Sequence, residues 1–169
     1  GRDALCYTAS VAQYKQQPLR TYGTYFTTDF TIERTPFAVE ADDGTANVDP
    51  KGAWLSLAPG SPTDTETLPE GTTTGGPAEH ELVVEEGETV PEHLRGEGAP
   101  FPQLPLTDDG RAKRELRFKE NVVEPDEEVV VAGEATVGEE YGRPLVTCDR
   151  KGAFVARGPY EEVAAVLQR

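Results

Sequence analysis

Apolar and polar residues alternate along short stretches of the first third of the chain, as they do in strands with one buried face. Residues 5–14 alternate in this way and place Leu5, Tyr7, Ala9 and Val11 on one face. Threonine and aromatic residues, which favour strands, are dense in the stretch that follows Pro18. Further strands are predicted over residues 22–32, 37–40, 46–48 and 54–57.

The dipeptide Asp43-Gly44 lies between the short apolar runs 37–40 and 46–48. A two-residue hairpin turn of this kind requires positive φ at both central residues, and Asp-Gly accepts that conformation more readily than most pairs. The sequence therefore predicts a tight hairpin centred on Asp43-Gly44.

The second half of the chain contains two longer strand patterns. Residues 114–123 direct Leu116, Phe118 and Val122 to one side, and residues 129–135 form a continuous run that is apolar except for Glu134. A run of the second kind is typical of a strand that is covered on both faces. Shorter elements are predicted at residues 82–84, 91–94 (one helical turn) and 145–148.

A C-terminal helix is predicted to begin at Pro159, because proline fits the first position of a helix. Tyr160, Val163, Ala164 and Leu167 recur at helical spacing and share one face. Together with the strands, the helix indicates a mainly β fold. We expect antiparallel strands arranged as a barrel of the OB type or as a sandwich, with a long acidic loop and a C-terminal helix.

Two stretches lack the periodicity of helices and strands. Residues 59–80 contain one large apolar side chain, Leu68, among proline, glycine, threonine and acids, so we expect a mobile loop there. Residues 96–112 are rich in proline and are predicted to be irregular. A length of 169 residues fits a single domain over residues 1–169.

A short sequence echo relates the two halves. Residues 49–54 (DPKGAW) and 149–154 (DRKGAF) match at four positions and carry an aromatic residue at the sixth. Each segment follows a predicted strand–turn–strand unit. A duplicated half-domain and a coincidence over a short window both explain the echo.

The charge balance narrows the classes of partner. With 16 basic and 31 acidic side chains the net charge is −15, which argues against nucleic-acid binding and against docking on anionic lipid head groups through a basic patch. The acids concentrate in residues 62–100, either as an interaction surface or as a solvated loop. The acid excess indicates a halophilic source.

Because the sequence contains no methionine, we expect it to be an excised piece of a longer protein.

The residue types needed for catalysis do not form a recognisable motif. His80 and His93 are the two histidines, and neither has a second histidine at helical zinc-site spacing. The serines lie outside any GxSxG motif. The sequence therefore predicts no catalytic, cofactor-binding or metal-binding residues. Cys6 and Cys148 lie in predicted strands, where they are either a disulfide that joins the first and last strands or two small buried thiols.

Several segments, in order, resemble proteins of the GIDE type: residues 6–11, 36–53, 90–94, 117–120, 129–133 and 167–169. The eukaryotic members are mitochondrial E3 ubiquitin ligases anchored in a membrane. A domain similar to this chain lies between their two membrane helices, and a RING domain follows. Two cysteines and two histidines cannot supply the eight ligands of a RING, so the sequence resembles a RING-less version.

The resemblance implies a non-catalytic interaction or scaffold domain, held beside a membrane by flanking helices. The implied partner is a membrane protein or another protein, with membrane contact through flanking segments alone and no nucleic acid. The implied location is membrane-associated, with the extracytoplasmic side favoured over the other. The alternative is a component of an E3 ubiquitin-ligase-like enzyme whose catalytic part lies elsewhere.

Overall fold

A computed structural model of the protein describes residues 4–19, 21, 23–57, 78–137 and 142–167. Most of the predicted loop at 59–80 lies outside these residues, and His80 at its end opens a strand. The contacts group the chain into two compact units. Unit 1 comprises Gly1–Tyr7, Glu33–Ala78 and Val122–Arg169, and unit 2 comprises Thr8–Ile32 and Glu79–Asn121. The single domain over 1–169 stays a prediction.

The described residues form mainly strands, with one α-helix and one 3₁₀ turn, as the sequence predicts. The 3₁₀ turn covers Glu92–Leu94 and α1 covers Tyr160–Leu167. The strands are β1 Cys6–Gln16, β2 Gly23–Arg34, β3 Phe37–Ala41, β4 Gly44–Asp49, β5 Trp54–Ser56, β6 His80–Val84, β7 Leu116–Val123, β8 Val129–Ala132, β9 Glu134–Val137, β10 Pro144–Thr147 and β11 Phe154–Arg157.

The strands form three sheets, in the orders β2-β1-β7-β6, β3-β4-β10-β9 and β5-β11-β8. In the described part of the chain none of the three closes on itself, so the sheets fit the sandwich alternative rather than the barrel. Most neighbours pair antiparallel, as expected. Two pairs are parallel, β4 with β10 and β5 with β11.

Unit 2 is built on the sheet that contains β1, β6 and β7. β6 pairs antiparallel with β7, so that Leu82 lies opposite Phe118. The buried ring of Phe118 packs 5.9 Å, centroid to centroid, from Phe101 of the irregular segment. Just before that segment, Arg95 donates from Nε to the Val90 carbonyl oxygen at 2.8 Å. The prediction that Leu116, Phe118 and Val122 of β7 face inward is confirmed, since all three are buried.

In unit 1 the two echo segments have the same local structure. The N–H of Ala53 donates to Pro50 O at 3.0 Å, and that of Ala153 donates to Arg150 O at 3.1 Å. The third residue of each turn is a glycine with positive φ, as a type II turn requires. The strands after the turns pair with each other in parallel. A coincidence of sequence would not require this likeness, which favours a duplicated half-domain.

Two sequence expectations need correction. The β3–β4 connection is Asp42-Asp43, because Ala41 already pairs with Gly44; Gly44 has positive φ there and Asp43 does not. In β1 both alternating sets of side chains are buried from Thr8 to Val11, rather than one face.

The apolar run at 129–135 is not one covered strand. β8 ends at Ala132 in the third sheet, and β9 begins at Glu134 in the second. A Cβ on Gly133 would lie 2.5 Å from the Thr147 carbonyl oxygen and 3.2 Å from Cys148 Sγ. The missing side chain therefore lets the backbone pass closely over the end of β10 as it changes sheets.

We expect Gly133→Ala to lower the free energy of unfolding by about 1–3 kcal/mol, because the added methyl group overpacks a site bounded by backbone. Urea denaturation of the variant measures the change. Thr136→Ala, at an exposed position of the adjoining strand, is the control and should stay within about 0.5 kcal/mol of the unchanged protein. Equal stability of the two variants would contradict the close approach.

Candidate functional site

The residues that the sequence offers for metal chemistry do not come together. His80 opens β6 and His93 lies in the 3₁₀ turn, and both side chains are exposed. Asp42 and Asp43 form the β3–β4 connection. Across the described ranges, no three His, Cys, Asp or Glu side chains are grouped closely enough to hold a metal ion.

The two cysteines are both buried in unit 1 as free thiols. Cys6 is the first residue of β1, and Cys148 directly follows β10. Cys148 donates from Sγ to the carbonyl oxygen of Ala132, at the end of β8, over 3.8 Å. The disulfide between Cys6 and Cys148 stays a prediction.

The surroundings of both thiols favour the protonated form. Burial raises the pKa of Cys6 from 9.0 to about 11; Arg34 opposes the rise and Cys148 adds to it. Burial also raises the pKa of Cys148, and the carboxylates of Asp49 and Asp149 add to that rise. At neutral pH both residues are therefore small, protonated core side chains rather than nucleophiles.

The chain matches no protein-family model, no curated protein and no solved structure. Among the residues that are described, no helix has the length and the apolar character needed to cross a bilayer.

The outer edge of the second sheet offers a binding surface in unit 1. β9 is the last strand in the order β3-β4-β10-β9, so one side of its backbone pairs with β10 while the other has no neighbouring strand in the described structure. In such a strand every second residue directs its N–H and C=O groups away from the sheet. All four residues of β9 are exposed, Val137 by 85%. Unpaired backbone groups and exposed side chains thus coincide.

An apolar row of the sheet continues out to this edge. Residues directly opposite one another in neighbouring strands lie on the same face. Val48 is buried in this row, Phe37 and Val146 are half-buried, and Ala135 is exposed. Val137 lies on the same face, two residues beyond Ala135. The register that forms the row is Phe37, Val48, Val146 and Ala135.

β9 has few of the features by which proteins protect sheet edges, such as lysine, proline or a bulge. Its one charged residue is Glu134, whose Oε2 lies 2.6 Å from Arg150 Nε, so that the charge is paired. The remaining residues, Ala135, Thr136 and Val137, carry no charge. An edge of this kind can accept an extended peptide, with backbone hydrogen bonds for affinity and apolar contacts for selectivity.

Sequence reasoning missed this edge because it predicted a continuous covered strand over 129–135. Gly133 was the available signal. A glycine inside a strand pattern marks a bend or a close backbone approach, and therefore a place where the strand can change sheets.

We expect the free energy of unfolding to fall as the pH rises from 9.0 to about 11, because Cys6 binds its proton more tightly in the folded chain than in the unfolded one. The free energy of unfolding of the Cys6→Ala variant should fall less over the same interval, since the variant lacks the Cys6 thiol. Urea denaturation at a series of pH values measures both curves. Parallel curves would contradict the raised pKa of Cys6.

The state of the cysteines has its own test. Because both are free thiols in the structure, two thiols per chain should react with a thiol reagent in denaturant without reductant. A count of zero would instead support the disulfide between Cys6 and Cys148.

Proposed function

We propose that the chain is a non-catalytic protein-interaction domain that binds an extended segment of a partner protein at the β9 edge, beside a membrane. The β9 edge is the observation on which the binding half of the proposal depends. There, one side of the β9 backbone has no neighbouring strand among the described residues, and the side chains of Ala135 and Val137 are exposed and uncharged. Strand addition requires both features.

The partner's chemistry follows from this surface. Ala135 and Val137 lie on the apolar face of the sheet, and Thr136 lies on the other. A partner strand that alternates apolar and polar residues would extend the apolar row and leave its polar face in water. We therefore propose a short β-forming segment with low charge as the ligand.

The membrane half of the proposal is supported by the resemblance to GIDE-type proteins. In those proteins the corresponding domain lies between two membrane helices. Flanking helices would hold the β9 edge near membrane proteins and raise their effective concentration at that edge. Such a tether would permit a weak, exchangeable interaction at a small surface.

Site-specific photo-cross-linking in the native cells tests both halves. A photoreactive amino acid replaces Val137 in the full-length protein, and the cells are irradiated. The membranes are then washed with carbonate, and the cross-linked products that remain are analysed. We expect the protein to remain in the washed membranes and to form a discrete cross-linked product. Adding Ala135→Lys should lower the yield about tenfold, because a charge on the edge blocks strand addition.

Ala38→Lys is the matched control, since it places the same charge at an exposed position of β3, on the opposite edge of the same sheet. It should leave the cross-linked yield unchanged. An equal loss of cross-linked yield with Ala135→Lys and Ala38→Lys would contradict binding at β9. The absence of any cross-linked product would also contradict it. Release of the protein by the carbonate wash would contradict the tether alone.

A further inference from the structure

The connection between β1 and β2 in unit 2 combines unusual exposure with unusual charge. Thr28 Oγ1 donates to the Val11 carbonyl oxygen, and Gln17 Nε2 donates to Thr24 Oγ1, so the two strands run antiparallel. Pro18 and Leu19 lie at the turn between them. We name the region formed by residues 14–19 and 23–26 the hairpin tip.

Leu19 is fully exposed, and its φ of 67° lies in the left-handed region, which is costly for a leucine. Neither feature helps the fold, because the side chain buries no surface and glycine would adopt this backbone without strain. Phe26 is also 46% exposed, and the ammonium group of Lys15 lies 5.7 Å from the centroid of its ring. The hairpin tip therefore presents two large apolar side chains, and one of them, Phe26, lies next to a cation.

The base of the hairpin tip is fixed by polar and aromatic contacts. The hydroxyl of Tyr14 accepts a hydrogen bond from Gly23 N–H at 2.9 Å, and its ring meets that of Tyr25 edge-on at 5.4 Å. The Arg117 guanidinium lies 3.8 Å from the centre of the Tyr25 ring, and Glu115 accepts the hydroxyl hydrogen of Tyr25. These contacts fix Tyr14, Gly23 and Tyr25 at the base of the hairpin tip.

The charge of this segment is opposite to that of the chain. Residues 4–28 contain no acid and carry Lys15 and Arg20, which gives +2 and leaves −17 on the other 144 residues. The overall charge of −15 hides this difference along the sequence, and at the base of the hairpin tip Glu115 and Arg117 add one charge of each sign beside Tyr25. An anionic surface would attract the hairpin tip and repel most of the rest of the chain, which favours one orientation.

We propose that the hairpin tip contacts an anionic lipid surface, with the side chain of Leu19 inserted between the head groups. Leucine and phenylalanine supply the apolar contact, the tyrosines suit the boundary between apolar and wet regions, and Lys15 keeps its ammonium group among the phosphates. The proposal revises the expectation that membrane contact is made by flanking segments alone. The proposal rests on the membrane half of the proposed function and adds a point of contact to it. It does not depend on binding at the β9 edge.

Binding of the purified chain to vesicles tests the proposal. We expect sedimentation with phosphatidylglycerol vesicles and weaker sedimentation with phosphatidylcholine vesicles. Leu19→Ser should lower the partition coefficient at least about tenfold, because it removes a leucine from the inserted surface. Lys15→Gln should lower binding to phosphatidylglycerol about fivefold, the effect of one cation near an anionic surface.

Val137→Ser is the matched control, because Val137 is also a highly exposed apolar residue and lies in unit 1. It should leave vesicle binding unchanged. Equal loss with Leu19→Ser and Val137→Ser would overturn the assignment to the hairpin tip. Equal binding to both lipids would overturn the preference for an anionic surface, and no binding to either would overturn lipid contact and leave an acidic protein face as the ligand.

A second readout locates the contact. In a Trp54→Phe background, Leu19→Trp places the sole tryptophan of the chain at the hairpin tip. Its emission should shift to the blue when phosphatidylglycerol vesicles are added, since the indole leaves water. Sedimentation without a shift would overturn insertion. Photo-cross-linking at position 137 does not depend on either result, so failure of this proposal and failure of partner binding are distinguishable.

Discussion

The structure of unit 1 depends on two parallel strand pairs that join segments one hundred residues apart. β4 pairs with β10, and β5 pairs with β11, so the two DxKGA segments lie beside each other. The N–H of Cys148 donates to Asp49 O at 3.2 Å, and that of Trp54 donates to Ala153 O at 3.0 Å. Because parallel strands cannot be joined by a tight turn, the intervening chain, which includes the Glu79–Asn121 segment of unit 2, must close a long loop for either pair to form.

These pairs also determine where the candidate binding surface lies. With β4 and β10 at the centre of the second sheet, β3 and β9 become its edges. Gly133 then allows the chain to leave β8 and enter β9 by passing close to Thr147 and Cys148. The exposure of Ala135 and Val137 is therefore a consequence of the sheet order, since β9 has no strand beyond it in the part of the chain described.

Local chemistry predicted most elements, and long-range pairing explains what it missed. Alternation located β1, the density of threonine and aromatic residues located β2, and the spacing of Leu116 and Phe118 predicted the buried face of β7. Apolar composition could not show that residues 129–135 divide between two sheets, because that depends on contacts with β10 and β11. The histidines and the place of the β3–β4 hairpin were visible in the sequence, but its two turn residues were not, and the β9 edge became visible once the sheet order was known. The resemblance to GIDE-type proteins stays a prediction.

Hydrogen exchange of the backbone amides of the free chain tests most directly whether β9 is an open edge of an ordered sheet. The account predicts that β10 amides are protected, since they pair on both sides, while the outward-facing amides of β9 exchange rapidly. Protection of every amide in β9 would contradict the account, because the edge would then already be covered and no partner strand could add there. Rapid exchange throughout β10 would equally contradict it, since the sheet that presents the edge would not be formed.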